Sequence, residues 1–188
     1  MTAYFIAPPQ GYLEPMAALL AVVALLTSQG YHPSGPKIEV DMAGHRSFVI
    51  TTDPKGSPLT TKGILRLVRA GFYDGQRVHR VESWVVQWGD PQSKTLPPGD
   101  SRIGSSGSGH PLPFEDGGAG FARGVVGIAS TGTGLGGDSQ LFVITKDADV
   151  SRLNHGYAIL GKVTRGMDVV DHIKVGDRIV RIVVIGRK

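Results

Sequence analysis

The segment GFYDGQRVHRVESWVVQWGDP, residues 71–91, marks the change from a predicted helix to a series of short strands. The helix is predicted over Thr60–Ala70, where apolar residues recur at helical spacing, and Gly71 is a typical C-cap. β-branched and aromatic residues then favour strands at Val78–Val81 and Trp84–Trp88. A helix followed by such short strands is typical of a mainly β domain.

The same pattern extends in both directions from this segment. From Lys37, apolar residues alternate around a turn at Ala43–His45, which predicts a hairpin. Further strands are predicted at Val125–Ala129, Gln140–Thr145, Ala158–Val163 and Val180–Ile185, and a second helix is marked by Met167, Val170 and Ile173. Many short strands with two helices favour a barrel capped at its ends. Residues 91–124 are rich in Gly, Ser and Pro, and so long a connection is typical of a functional rim or a mobile loop.

Composition limits the classes of function. The chain has 188 residues, enough for one domain, with 40% hydrophobic and 19% charged residues. It contains no Cys, which excludes disulfides, thiolate metal sites and cysteine nucleophiles. The net charge of +4 is not gathered in a basic run with aromatic residues, so nucleic acid is not an expected partner. The sequence shows no metal-ligand spacing, and we expect neither a metal nor another cofactor.

Residues 1–36 differ from the rest of the chain. They carry one charged side chain, Glu14, followed by the uninterrupted apolar run Met16–Leu26, which predicts a hydrophobic helix. A cleaved signal peptide is disfavoured because the basic n-region is missing. The two remaining interpretations are a membrane anchor or interfacial helix and a helix that docks on a partner protein. We therefore predict an N-terminal anchor or docking segment over 1–36, a globular domain over 37–188, and membrane association through the uncleaved segment, on a side that flanking charges do not determine.

Two short motifs share the segment GTGLGGDSQLFVI, residues 132–144. Gly132, Gly134 and Gly137 satisfy GxGxxG, but a dinucleotide-binding loop must open a helix, and a strand is predicted here instead. Gly-Asp-Ser at 137–139 is similar to the nucleophile motif of trypsin-like proteases. However, Ser139 is followed by Gln rather than by the Gly-Gly that lets backbone amides form an oxyanion hole. Neither motif is favoured as a functional site.

Six ordered motifs resemble the cyclophilin-type peptidyl-prolyl cis-trans isomerases. They are GFYDG (71–75), HRV (79–81), QWGDP (87–91), SQLF (139–142), LGKV (160–163) and GMDVV (166–170). The resemblance covers about residues 37–188. It implies a mainly β, cyclophilin-like eight-stranded antiparallel barrel capped by two helices, which the predicted N-terminal hydrophobic helix would precede.

The resemblance also implies an activity, the cis-trans isomerisation of X-Pro bonds in proline-containing polypeptides, which assists protein folding. Rotation about this bond has a barrier of roughly 20 kcal/mol because twisting destroys amide resonance. A fixed cationic donor aimed at the proline nitrogen would favour the twisted transition state most. By resemblance Arg80 is this donor. An arginine taken alone would by default be a solvated residue on a barrel strand. The HRV motif that follows GFYDG favours the functional role for Arg80 instead.

The resemblance assigns a substrate groove to eight further residues, which are Val85, Gln87, Ala129, Ser130, Gln140, Phe142, Leu153 and Tyr157. In the family, the counterpart of Gln87 would hold the substrate backbone, and Phe142 with Val85 and Leu153 would form the floor of the proline pocket. The two-residue period of a strand agrees in part, because it puts Val85 and Gln87 on one face and Trp84, Val86 and Trp88 on the other. The alternatives are an ordinary core position for Phe142 and an exposed strand position for Gln87.

The sequence departs from the family pattern in several places. Val85 stands where Met is common, Arg152 where many members have Trp, and Trp88 where Gly is usual; one residue fewer separates Arg80 from Gln87. Two functions therefore stay open. One is a prolyl isomerase tethered at its N-terminus, and the other is a cyclophilin-like structural or binding subunit of a larger membrane complex with weak or no isomerase activity.

Overall fold

The computed structural model describes residues 30–147 and 150–186. Within these ranges the strands are β1 (Lys37–Met42), β2 (Arg46–Thr52), β3 (Arg80–Glu82), β4 (Val85–Trp88), β5 (Val125–Ile128), β6 (Leu141–Ile144), β7 (Ile159–Arg165) and β8 (Ile179–Ile185). They form one sheet in the order β3-β4-β6-β5-β7-β2-β1-β8, and every neighbouring pair is antiparallel. The eight predicted strands are thus confirmed, with ends that shift by about two residues at most.

The sheet is a half-barrel rather than a fully hydrogen-bonded barrel. Its two edge strands are β3 and β8, and no ladder joins them within the described residues. The chain just before each edge strand makes the connection instead: Gly75 N–H donates to the Ile179 carbonyl at 2.9 Å, and Gly176 N–H donates to the Val78 carbonyl at 2.9 Å. These bonds bring the two ends of the strand order together and hold β3 in place.

Two α-helices accompany the sheet in the described part of the chain. Helix α1 (Pro58–Arg69) begins with Pro in its first turn, as helices often do, and ends before Gly71, which has a φ of 65°. Its first free N–H groups are satisfied by the distant Glu115 carboxylate, which accepts from Leu59 and Thr60 at 3.0 and 2.7 Å. Helix α2 (Met167–Asp171) is shorter and follows β7 directly. Both predicted helices are confirmed.

One face of the sheet packs on the hydrophobic core. Val86 and Trp88 of β4 and Leu141 and Val143 of β6 lie in this core, as strand alternation predicts for alternate positions. Trp88 is 1% exposed and makes an edge-on contact with Phe48 at a ring-centroid distance of 5.9 Å. The bulky residue that replaces the usual Gly of the family therefore fills core space and does not reach the opposite face.

The predicted position of Trp84 is wrong. The prediction assumed a strand that starts at residue 84, and alternation then put the Trp84 side chain on the core face. In the structure β3 ends at Glu82 and β4 begins at Val85, so Ser83 and Trp84 form the tight turn between them. The two-residue period does not apply in a turn, and Trp84 lies on the opposite side from Trp88, beside Arg80. The hydrophobic helix predicted at Met16–Leu26 lies outside the described residues, and only residues 30–36 of the predicted segment 1–36 are described.

Candidate active site

The site is built on one row of residues that crosses four neighbouring strands. Arg80 of β3 pairs with Gln87 of β4, Gln87 pairs with Phe142 of β6, and Phe142 pairs with Gly127 of β5. Directly opposed residues in antiparallel strands project their side chains from the same face, so register alone aligns a cation, an amide and an aromatic ring. The row lies on the face of the sheet that does not carry Val86 and the core.

A groove of about 300 Å³ opens along this row. It is lined by Arg80, Val85, Gln87, Ala129, Ser130, Phe142, Leu153 and Tyr157, together with Trp84 and Arg152. The structure thus brings the predicted catalytic residue and seven of the eight predicted groove residues into one cavity. The eighth, Gln140, lies next to it. Their roles in binding and catalysis stay predictions, since the geometry gives proximity alone.

The floor of the groove is aromatic and fixed by its neighbours. The Phe142 ring stacks on Phe121 at 5.5 Å between centroids and meets Tyr157 edge-on at 6.0 Å. Gly127 lies directly beneath, and a Cβ at this position would overlap Cζ of Phe142 and lie 2.8 Å from Cε1 of Phe121. The glycine therefore leaves the space that the ring occupies. No role was predicted from the sequence for Phe121, because this residue lies in the long loop 91–124, for which no secondary structure was predicted.

A second cavity, of about 520 Å³, continues from the groove past Gln87. Gln140 lines this cavity, and the two amides are connected because Gln87 Nε2 donates to Gln140 Oε1 at 2.8 Å. Gln140 Nε2 in turn donates to the carbonyls of Gly104 and Ser106 at 2.9 and 2.8 Å. A chain of hydrogen bonds therefore links the groove to the glycine- and serine-rich loop.

Two carboxylates hold this loop against the sheet. Asp90, which is fully buried, accepts the N–H groups of Gly104 and Ser106 at 2.6 and 2.9 Å. Asp138 accepts the N–H groups of Ser108 and Gly109, both at 3.0 Å, and the Ser108 hydroxyl as well. Composition predicted either a functional rim or a mobile loop for residues 91–124. In the structure Asp90 and Asp138 bind the backbone of this loop at two places, which favours the rim.

The Arg80 guanidinium is fixed at one end of the groove by two side chains. Its Nη1 donates to Gln87 Oε1 at 3.1 Å, and its Nε donates to Glu82 Oε1 at 2.7 Å. The guanidinium carbon also lies 5.6 Å from the centroid of the Trp84 ring. The side chain is 43% exposed, so its remaining N–H groups are accessible to a ligand in the groove.

Trp84 supplies an aromatic wall that sequence reasoning placed elsewhere. The Arg152 guanidinium lies 5.1 Å from the centroid of its ring, so an aromatic side chain does border the position where many family members have Trp. The indole reaches the groove because the β3–β4 turn is tight. Strand alternation carries no signal for this position, because Trp84 lies in a turn between two strands.

The two motifs of residues 132–144 take no part in chemistry of their own. Strand β6 follows the GxGxxG segment, as predicted, so these glycines open no helix. Ser139 is fully buried, and its hydroxyl donates to the Gly89 carbonyl at 2.8 Å. It is therefore a structural residue and not an accessible nucleophile.

Comparison with known proteins agrees with this geometry. Residues 37–185 match the family described as cyclophilin type peptidyl-prolyl cis-trans isomerase/CLD. A probable peptidyl-prolyl cis-trans isomerase of Brucella abortus is 38% identical over 127 residues, which are 65% of this chain and 64% of that protein. Peptidyl-prolyl cis-trans isomerase A of Dickeya dadantii is 29% identical over 82% of each chain.

A solved structure carries the same fold. The cyclophilin-type isomerase of Cryptosporidium parvum superposes with a TM-score of 0.66 at 18% identity, over 82% of this chain and all of that one. The chain therefore belongs to the cyclophilin-type peptidyl-prolyl cis-trans isomerase family. It spans 64% of the length of its Brucella abortus relative, which is less than two thirds.

Among the described residues, no group of three or more His, Asp or Glu side chains is placed to hold a metal ion. In residues 30–147 and 150–186, no helix has the length and apolar character needed to cross a membrane.

Proposed function

We propose that this protein catalyses the cis-trans isomerisation of X-Pro bonds in polypeptides that bind across the groove. The observation that carries the proposal is the cross-strand row in which the Arg80 guanidinium, the Gln87 amide and the Phe142 ring project into one groove. An apolar floor beside a fixed cation is what a proline ring and its twisting amide require. Membership of the isomerase family supports the same activity.

The mechanism follows from how the peptide bond changes as it twists. At the transition state the proline nitrogen loses conjugation with the carbonyl and gains a localised lone pair. An N–H group of Arg80 donates to this nitrogen more strongly than to the planar amide, so it stabilises the transition state more than the bound substrate. Phe142, Val85 and Leu153 hold the proline ring while the preceding residue rotates. Gln87 and the backbone at Ala129 and Ser130 hold the substrate chain.

Replacing the donor tests the proposal. We expect Arg80→Ala to lower kcat/KM for an X-Pro peptide by about 10²- to 10³-fold, the usual effect of losing one preorganised donor. Arg80→Lys should restore little, because an ammonium on a flexible stem keeps the charge and loses the planar fork. Arg102→Ala is the matched control, since Arg102 is an exposed arginine paired with Asp100.

Two outcomes of this experiment would contradict the proposal. A wild-type rate equal to that of the uncatalysed peptide would favour a structural subunit without isomerase activity. Loss of thermal stability in both Arg80 variants with unchanged turnover would make Arg80 a structural residue of the rim. The assay is a protease-coupled or NMR exchange measurement on the full chain.

We also propose that residues 1–36 attach the isomerase to a membrane or to a membrane-protein complex. The support is the apolar run Met16–Leu26, which holds no charged residue. Burying several of these side chains contributes ~1.5 to 3 kcal/mol each, so a partner for this surface is favoured over exposure to water. Proline-containing segments near the attachment point would then be the substrates.

Fractionation of cells that express the full chain tests this attachment. The full chain should sediment with membranes, and a chain that begins at His32 should stay in the supernatant. Release of the full chain by high salt would indicate docking on a complex, while release by detergent alone would indicate an anchor. A full chain that stays soluble and monomeric would contradict both.

A further inference from the structure

The Glu82 carboxylate does not line the groove, but it contacts two side chains that do. Its Oε1 accepts from Arg80 Nε at 2.7 Å, and its Oε2 accepts from Trp84 Nε1 at 3.0 Å. The residue is not among those that line the groove. It is therefore placed to act on a substrate through its neighbours and not by contact.

Local geometry explains why one carboxylate meets both partners. Glu82 is two residues from Arg80 on β3, so these two side chains share a face of the strand. The contacts of the Trp84 indole with both of them place it on the same side. Glu82 pairs with Val85 across the hairpin, which makes the turn between them only Ser83 and Trp84. The tight turn thus brings the indole N–H to the second carboxylate oxygen.

The contacts fix the orientation of the guanidinium as well as its position. Arg80 is held through Nε by Glu82 and through Nη1 by Gln87, which are two separate points of a planar group. The Trp84 ring packs 5.6 Å from the guanidinium carbon and is itself tied to Glu82. Two acceptors and one ring leave the guanidinium plane little freedom, and the N–H groups on its other edge keep a constant direction.

Stability alone does not account for this ion pair. The Arg80 and Glu82 side chains are 43% and 46% exposed, and an exposed pair of this kind contributes little to folding because water and salt screen it. The ion pair is nevertheless short, with 2.7 Å between Arg80 Nε and Glu82 Oε1. The hydrogen bond from Arg80 is the main reason that the pKa of Glu82 lies below its ordinary value, with smaller contributions from Trp84 and Arg152.

We propose that Glu82 is a positioning residue for the isomerase reaction, which orients the Arg80 guanidinium toward the proline nitrogen and braces the Trp84 wall. The inference rests on the proposed isomerase function. A donor that stabilises the transition state loses its effect when its direction is no longer fixed, and misplacement of about 1 Å costs up to ~10²-fold in rate. Glu82 thus controls turnover more than substrate binding.

The test is Glu82→Ala in the full chain, measured as kcat and KM separately on an X-Pro peptide. We expect kcat to fall by about tenfold with KM nearly unchanged, because the lost interaction acts mainly in the transition state. Glu82→Gln keeps an oxygen acceptor of the same reach, so part of the loss should be recovered. The melting temperature of both variants should stay close to that of the wild type.

A double-mutant cycle with Arg80→Ala shows whether Glu82 acts through Arg80. If it does, Glu82→Ala should lower kcat in the wild-type background and have no further effect when Arg80 is already Ala. The control is Glu39→Ala. Glu39 accepts from Arg165 at the same 2.7 Å and also from Ser47, but it lies on β1, away from the groove.

Each other outcome overturns the inference. An unchanged or higher kcat in Glu82→Ala would show that the carboxylate does not position the donor. Equal, additive losses in both backgrounds would show that Glu82 acts independently of Arg80, and no recovery in Glu82→Gln would assign the effect to charge and not to hydrogen-bond geometry. An inactive wild type would instead contradict the proposed function, so the two failures are distinguishable.

Discussion

At the scale of single residues, the partly buried His79 makes the stability of the protein depend on pH. It precedes Arg80, and burial lowers the pKa of its imidazole, an effect that the nearby Asp90 carboxylate opposes in part. A histidine kept neutral in the folded state binds its proton more weakly there than in the unfolded chain. Stability from His79 is therefore fully present above the unfolded pKa of 6.5 and is lost as pH falls through the lowered folded pKa.

This linkage gives a prediction for His79→Gln. Between about pH 7 and about pH 5 the wild type should lose more stability than the variant, because the variant has no buried imidazole to protonate. Urea unfolding at several pH values measures the difference. His110→Gln, at an exposed histidine, is the control and should follow the wild type. Parallel curves for His79→Gln and the wild type would contradict the prediction.

Gly127 is the second residue whose role is local. We expect Gly127→Ala to cost about 1 to 3 kcal/mol of stability, since the added methyl group would overlap the Phe142 ring and crowd Phe121. Isomerase activity should fall as well, because the displaced ring forms the floor of the groove. Thermal melting and kcat/KM on the same protein measure both effects.

Gly120→Ala is the matched control for this change. Its new Cβ would find its nearest neighbour, Asn154 Nδ2, at 3.4 Å, an ordinary contact. This variant should resemble the wild type in both measurements. A Gly127→Ala protein with full stability and full activity would show that Phe142 can move without consequence.

At the scale of elements, the loop before β5 is held by carboxylates as well as by the packing of Leu112 and Phe121, which are buried. Asp138 binds the backbone of Ser108 and Gly109, and Asp90 binds that of Gly104 and Ser106. Since Gln140 donates to the same loop, the loop and the groove share one hydrogen-bond network. Loosening the loop should therefore affect activity without unfolding the sheet.

Asp138→Ala tests this coupling. The N–H groups of Ser108 and Gly109 lose their acceptor and should exchange with solvent faster, while kcat/KM falls by a few-fold and the melting temperature changes little. Amide hydrogen exchange followed by NMR measures the exchange rates of these two N–H groups directly. Asp100→Ala is the control, because this carboxylate accepts hydrogen bonds from Arg102, two residues further along the chain. Unchanged exchange in Asp138→Ala would refute the coupling.

At the scale of the whole molecule, the start of the folded body can be tested. The sequence places the division between residues 36 and 37, and this division stays a prediction. Gly35 N–H donates to the Thr52 carbonyl at 2.9 Å, and the Pro36 carbonyl accepts from the Thr52 N–H and hydroxyl at 3.0 and 2.8 Å. These bonds extend the pairing of β2 beyond the start of β1.

We therefore expect a chain of residues 32–188 to be more stable than one of 37–188, by about 1 to 3 kcal/mol for the partners that Thr52 loses. Both should fold as monomers, because the sheet is complete in each. Urea unfolding of the two proteins measures the difference, and sedimentation gives the oligomeric state. Equal stabilities would show that the residues before Lys37 contribute nothing to the body.

The sequence by itself determined the elements and most of the site. Strand alternation and helical spacing are both local patterns of apolar residues. The eight strands, the two helices and the shared face of Val85 and Gln87 could therefore be predicted from the order of residues alone. The family resemblance predicted Arg80 and eight groove residues, seven of which line one cavity with Arg80. Trp84 was misplaced and Glu82 overlooked because a turn of two residues interrupts the alternation on which such reasoning depends.

Only the tertiary structure decided how distant residues meet. The row from Arg80 to Gly127 depends on the register between β3, β4, β6 and β5. The tight turn sets the β3–β4 register, but β4 and β6 lie far apart in the chain, so the packing of their buried faces decides how they pair. The same holds for the loop, whose composition predicts either a functional rim or a mobile segment. Asp90 and Asp138, from separate parts of the chain, accept hydrogen bonds from its backbone. The sequence specifies that residue 80 is an arginine, whereas the direction of its guanidinium depends on Glu82 and Gln87, which folding brings into contact with it.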